Sequence, residues 1–124
     1  MLGTRTAVVI EDDADVRGLI QAILEASDID VRTAARGTAG INAVRTNIPD
    51  IVILDFGLPD INGLEVINRI RAFSDVYILM LTGHEDVAEQ VTSAGANTVM
   101  TKPFRPRALK ERIHEALQLQ LQKP

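Results

Sequence analysis

An α/β fold, five strand–helix units wound about one parallel sheet, is the architecture this sequence predicts. Short apolar runs alternate with stretches of helical period, the pattern that parallel strands joined by crossover helices produce. The run Ile51-Val52-Ile53-Leu54 is apolar on both faces, as a strand in the middle of a parallel sheet must be. At 124 residues the chain has room for five such units and is about half the length of an eight-fold barrel, so the sheet stays open.

The first strand is Ala7-Val8-Val9-Ile10. The acids Glu11, Asp12 and Asp13 come next, placed to cap a helix in which Val16, Leu19, Ile20, Ile23 and Leu24 recur at helical spacing. Ile29 to Ala34 reads as a second strand and Thr38 to Arg45 as a second helix. After the third strand, Gly57, Pro59 and Gly63 mark a loop. Leu64, Ile67 and Ile70 form one stripe of a third helix. Tyr77 to Leu81 is the fourth strand, and the fourth helix covers Glu85 to Ala94, where Gly95 stops it. Thr98-Val99-Met100 is a short fifth strand. The last helix sets Leu109, Ile113 and Leu117 at four-residue intervals.

A doubly wound sheet of this size takes the flavodoxin-like strand order 2-1-3-4-5. The expected organisation is a single domain over residues 1–119, with 120–124 as a tail or the start of a linker. Leu121 continues the apolar row of the last helix, whereas Leu119 falls off it. Fraying, a dimer surface and a linker are the three readings of that segment.

Composition narrows the function classes. Hydrophobic residues at 46% and charged residues at 24% describe a globular chain rather than a disordered one. The lack of cysteine removes disulfides and thiolate metal sites and suits a reducing, cytoplasmic location. Net charge is −4 and no basic stripe is present, so direct nucleic-acid binding by this chain is not expected. Met1-Leu2-Gly3-Thr4-Arg5 runs straight into a strand, so no signal peptide is expected, and no apolar run reaches membrane-spanning length.

The chemistry lies at the ends of the central strands. Strand one ends in Glu11-Asp12-Asp13, strand three in Asp55, strand four in Thr82 and strand five in Thr101-Lys102-Pro103. In the order 2-1-3-4-5 these strands are consecutive neighbours, so all four ends meet at the carboxyl edge, where such sheets bind ligands. Carboxylates brought that close need a proton or a cation. Oxygen-only donors suit a hard ion, Mg²⁺ or else Mn²⁺. Asp55 is then both a ligand and a nucleophile able to form an acyl phosphate, with Lys102 as fixed charge and Thr82 as hydroxyl donor.

The segments Val8-Val9-Ile10-Glu11-Asp12-Asp13, Asp50 to Pro59 (DIVILDFGLP), Leu81-Thr82 and Lys102-Pro103-Phe104 resemble, in order and spacing, the signature of response regulator receiver domains. The resemblance covers essentially the whole chain. It implies a phosphorylation-dependent signalling switch rather than a turnover enzyme. Asp55 is the implied phosphoacceptor, charged by a sensor histidine kinase or histidine phosphotransfer protein. Asp12 is the implied direct metal ligand, Glu11 an acid acting through water, and the Gly57 carbonyl a backbone ligand. Thr82 is the implied switch hydroxyl and Lys102 the phosphate-binding lysine, before a cis bond to Pro103. The switched surface is the fourth helix, fifth strand and fifth helix, serving an output domain, a partner protein or a phosphorylation-dependent homodimer, with transcription among the outputs. The resemblance implies kinase docking at Asp15, Val16 and Leu19 with Pro103 and Phe104, although for Val16 and Leu19 core packing is the first expectation.

The chain departs from that pattern at Val99, which occupies the position, three before the lysine, where relatives carry an aromatic. Signal transmission through the loop Thr82 to His84 and the fourth helix is the expected substitute. Gly57 offers no side chain to attacking water, so His84 is expected to bear on phosphoryl lifetime. Beyond that role, His84 and His114 read as surface residues, and Arg105, Arg107, Lys110 and Arg112 as a solvated basic face. Two other function classes remain: an interaction module that works without phosphorylation, and an aspartate-nucleophile phosphatase or dehalogenase. The last usually carries a second acid two residues after the nucleophile, where this chain has Gly57.

Overall fold

Elements succeed one another as β1 (Thr6–Ile10), α1 (Ala14–Glu25), β2 (Asp30–Ala34), α2 (Gly37–Asn47), β3 (Ile51–Asp55), α3 (Gly63–Arg71), β4 (Tyr77–Thr82), α4 (Ala88–Ala94), β5 (Thr98–Thr101) and α5 (Pro106–Gln122) in the computed structural model. The structure describes the backbone of residues 4–122 and the side chains of residues 4–118. The expectations for Met1 to Gly3 and for the side chains of Leu119 and Leu121 lie outside the described residues.

The five strands are parallel, in the order β2-β1-β3-β4-β5. Register brings the strand ends level: Ile10 pairs with Leu54, Asp55 with Leu81, and Thr82 with Thr101. Alternate side chains of the central strands enter opposite layers, the two-residue period of a pleated strand. Val8, Val52, Leu54, Ile78 and Met80 pack beneath α2, α3 and α4. Ala7, Val9, Ile53, Leu79 and Leu81 pack beneath α1 and α5.

Four helices differ in detail from the expected pattern. Leu19 is 43% exposed, because the buried row of α1 runs through Ile20 and Leu24 and leaves its neighbour about 100° around the helix. In α3, Val66 joins Ile67 and Ile70 in full burial, while Leu64 is only partly covered. The fourth helix begins late: Glu85–Val87 form a 3₁₀ turn closed by the Val87 amide donating to the His84 carbonyl, and regular helix starts at Ala88. In α5, fully buried Ala116 completes the row of Leu109 and Ile113.

The ends of α2 are unusual. Arg36 at its N-cap makes no side-chain hydrogen bond; Asp60, from the loop after β3, takes that role. The Asp60 carboxylate accepts from the Gly37 amide at 2.8 Å, the Thr38 amide at 3.0 Å and the Thr38 hydroxyl at 2.9 Å. The helix also lies tight on the sheet, since a Cβ at Gly40 would stand 2.4 Å from Ile10 Cδ1. At the other end Ile48 adopts φ 46°, ψ 62°, a left-handed conformation that favours glycine or asparagine and is an outlier for a β-branched residue.

The amides of Thr38 and Gly37 hold the Asp60 carboxyl well below the usual carboxylate range. A depressed folded-state value stabilises the fold fully above the unfolded value, near pH ~4, and the contribution is lost as pH falls below it. Asp60→Ala is therefore expected to lower the melting temperature at pH 7, with the gap to the parent closing on acidification below pH ~4. A gap that is independent of pH would contradict this account of the cap.

Candidate functional site

Asp55 ends β3 and is 6% exposed; Glu11, just past the end of β1, is 1% exposed. Asp12 is exposed beside them, and one carboxylate oxygen from each of the three lies within 4.8 Å of the others. Asp13 does something else. It caps α1, accepting from the Asp15 amide at 2.9 Å and the Val16 amide at 3.1 Å. The acid triplet thus divides into two site residues and one cap, and the Asp13 amide donates back to Glu11 Oε2 at 3.2 Å.

Lys102, carried by the turn after β5, reaches into this acidic group. Its ammonium lies 2.8 Å from Glu11 Oε1 and 2.9 Å from Asp55 Oδ1. Burial pushes the Glu11 carboxyl up; the hydrogen bond from Lys102 opposes that rise and the Asp55 charge adds to it. For Lys102, burial pulls down, but its bonds to Glu11 and Asp55 and their charges outweigh it and hold the ammonium above its usual value. The bond from Lys102 to Pro103 is cis.

Thr82 closes β4 at 1% exposure, with its hydroxyl committed to its own loop. Thr82 Oγ1 accepts from the His84 amide at 3.0 Å and stands 3.4 Å from the His84 carbonyl. The exposed His84 ring meets Phe56, the residue after Asp55, edge-on with ring centroids 6.5 Å apart. His114 is also exposed and bonds Ser27 Oγ at 3.2 Å. Gly57 sits open beside the acids, since a Cβ there would meet only Asp55 Oδ2, at 3.9 Å.

A divalent cation fits this donor set. Three carboxylates face a single ammonium, and the side-chain donors are oxygen alone, which suits a hard ion. The structure thus brings Glu11, Asp12, Asp55 and Lys102 together, sets Thr82 on the adjoining strand end, and leaves Val99 half-buried against the α2–α3–α4 layer. One supporting residue has no counterpart in the sequence reading: Arg17 donates to the Glu11 carbonyl at 2.9 Å, bracing the acidic turn from one helical turn away.

Beside the acids, Val16, Leu19, Lys102, Pro103 and Phe104 line a hollow of about 400 Å³. Exposed Leu19 forms one wall, which removes it from the core.

Comparison with known proteins agrees with this geometry. The family model described as response regulator receiver domain matches residues 7–114. The DNA-binding response regulator MtrA of Mycobacterium tuberculosis is 36% identical over 112 residues, covering 89% of this chain and 49% of MtrA. The chain spans about half the length of the curated relatives it matches. Among solved structures, a CheY-like receiver domain protein from Methanospirillum hungatei superposes with a TM-score of 0.92 at 25% identity, covering 98% of this chain and all of that one. A receiver domain from Clostridium thermocellum gives 0.86 at 26% identity, covering 94% of this chain and 96% of that one.

With more negative than positive charge at the strand ends, the fold carries an electrostatic cost here. Asp55→Asn keeps an oxygen for Lys102 while removing one charge. In EDTA it is expected to raise unfolding free energy by about 1 kcal/mol, read from chemical denaturation. A less stable variant would show that the Lys102 ion pair outweighs the repulsion.

Proposed function

The chain belongs to the response regulator receiver family, and on that premise we propose that it is a switch that accepts a phosphoryl group on Asp55. One observation carries the reading: the Asp55 carboxylate stands 2.9 Å from Lys102 Nζ within an oxygen-only acidic cluster at the carboxyl edge of the sheet. The donor is the phosphohistidine of a sensor histidine kinase or histidine phosphotransfer protein. An Asp55 oxygen attacks phosphorus, the P–N bond breaks, and the imidazole leaves with a proton, so that Asp55 becomes an acyl phosphate. Glu11, Asp12, Asp55 and the Gly57 carbonyl would hold the metal, Mg²⁺ or Mn²⁺. That ion supplies charge neutralisation to the phosphoryl oxygens. Lys102 pairs with the new phosphoryl oxygen in place of the lost carboxylate charge.

Thr82 donates its hydroxyl to the phosphoryl group, which requires it to turn that proton away from the His84 carbonyl. The same carbonyl closes the 3₁₀ turn that leads into α4, so this release bears on the start of α4. Val99 cannot exchange rotamers as a ring does, and the Thr82–His84 loop is the conduit instead. The hollow of Val16, Leu19, Pro103 and Phe104 receives the kinase or phosphotransfer protein, a reading supported by the exposure of Leu19.

Output passes through α4, β5 and α5 to an output domain, a partner protein or a homodimer, with transcription the response that the DNA-binding relatives suggest. The domain proposed is 1–119, with 120–124 as a tail or linker start. The proposed location is cytoplasmic, without direct contact to nucleic acid or membrane. Among the described residues no helix is long and apolar enough to cross a membrane.

Incubation with acetyl phosphate and Mg²⁺ is expected to add one phosphoryl group by intact mass. EDTA or Asp55→Asn should abolish the gain. No gain, with a promiscuous histidine kinase as donor too, would leave an interaction module that works without phosphorylation. His84→Ala is expected to change the rate at which the phosphorylated protein decays; an unaltered decay would release His84 from that role.

A further inference from the structure

We propose that the groove between the C-terminal ends of α2 and α3 is a docking surface for an acidic amphipathic helix of a partner protein. α2 and α3 lie side by side on one face of the sheet and end where β3 and β4 begin, at the edge opposite Asp55. The groove is therefore separate from the phosphoacceptor site and from the hollow beside Leu19.

Among the described residues, the exposed large hydrophobics are Leu19, Ile48 and Phe73, and two of the three flank this groove. Ile48 is 82% exposed and Phe73 38%. With Val44, Arg45 and Ser74 they line a hollow of about 410 Å³. Arg45 also borders a second hollow of about 380 Å³ along Thr38, Ile41, Asn42 and Arg69, so the two hollows meet at that residue. Apolar side chains from α2 and from the end of α3 surround them, which suits the apolar face of a helix.

Folding does not account for Ile48. A helix end in the left-handed conformation is served best by glycine or asparagine, and this β-branched side chain is strained there yet gains almost no burial. An exposed apolar residue held in an unfavourable backbone state, beside exposed Phe73, is the ground for assigning it a contact outside the chain.

Charge indicates what that is. α2 contains no Asp or Glu, although the chain as a whole is at −4. Arg69 is paired with Glu65 at 2.8 Å, and Asp75 lies near Arg71. Arg45 has no carboxylate within salt-bridge distance among the described residues, and its guanidinium lies 4.5 Å from the centroid of the Phe73 ring. A planar cation spread on an aromatic ring beside an apolar hollow fits a carboxylate placed next to aliphatic side chains. A basic segment would meet Arg45 with like charge.

The test is a titration of the ¹⁵N-labelled full chain with a synthetic helical peptide, leucines at i, i+3, i+4 and i+7 flanked by glutamates. The same peptide with lysines in place of the glutamates is the control. Expected are saturable shifts at the amides of Val44, Arg45, Ile48 and Phe73, at least ~10-fold tighter for the glutamate peptide. Arg45→Glu and Ile48→Gly should each weaken binding at least ~5-fold, and Ile48→Gly should melt no lower than the parent because it relieves the strained φ. Absence of saturable shifts in the groove, or equal affinity for the two peptides, would overturn the proposal. So would peptide-independent shifts that grow with protein concentration, which would assign the groove to a second copy.

Discussion

The ammonium of Lys102, held between Glu11 and Asp55, is the contact on which the site depends. It joins the end of the last strand to the ends of β1 and β3, so the register of the sheet and the order of its strands both converge on it. Without that cation two nearly buried carboxylates would face each other across a few ångströms, and one would have to take a proton. With it, the sheet can hold both carboxylates at its edge. The arrangement is only part-neutralised, because Asp12 adds a third carboxylate to the same group. That residual negative charge is what makes the group fit a divalent cation.

Around this edge the loops hold one another rather than standing free. Arg17 braces the turn of Glu11 through its carbonyl, and Asp13 secures the start of α1. Asp60 ties the loop after Asp55 to the first turn of α2, across 23 residues of sequence. Thr82 is tied to His84, and His84 rests against Phe56. The loop after Asp55 is thus connected on one side to α2 and on the other to the start of α4. Phe56, the covalent neighbour of Asp55, meets His84 through its ring, and Thr82, at the adjoining strand end, meets His84 through its hydroxyl.

The legible part of the molecule was the part governed by local pattern. The apolar runs of β1, β3 and β4 read as buried strands because burial on both faces leaves them no polar alternation. The polar residues just beyond those strands stood out against them, so Glu11, Asp12, Asp55, Thr82 and Lys102 could be named from the sequence. Leu19 was legible only as an apolar residue at helical spacing; whether it faced core or solvent depended on which stripe of α1 the sheet would cover. The late start of α4 was illegible too, since its first turn is set by the carbonyl of His84 rather than by any side-chain cap. Arg17 and Asp60 were missed because each acts mainly on backbone groups of another segment, and nothing in a side-chain pattern shows which carbonyl or amide lacks a partner.

By itself the sequence determined the fold class and the identity of the residues at the strand ends, which rest on periodicity and on residue type, properties of short segments. The strand order followed from the usual arrangement of a doubly wound sheet of this size, and the family from the resemblance of four motifs in order. The tertiary structure decided how the acids divide, with Glu11 and Asp12 joining Asp55 and Asp13 capping a helix. It also decided that Lys102 bridges two carboxylates from strands 44 residues apart in sequence, that Asp60 caps a distant helix, and that Ile48 and Phe73 meet beside Arg45 at the far edge. Each of these pairs residues distant along the chain, and their meeting depends on how the helices settle on the sheet, which no single segment encodes.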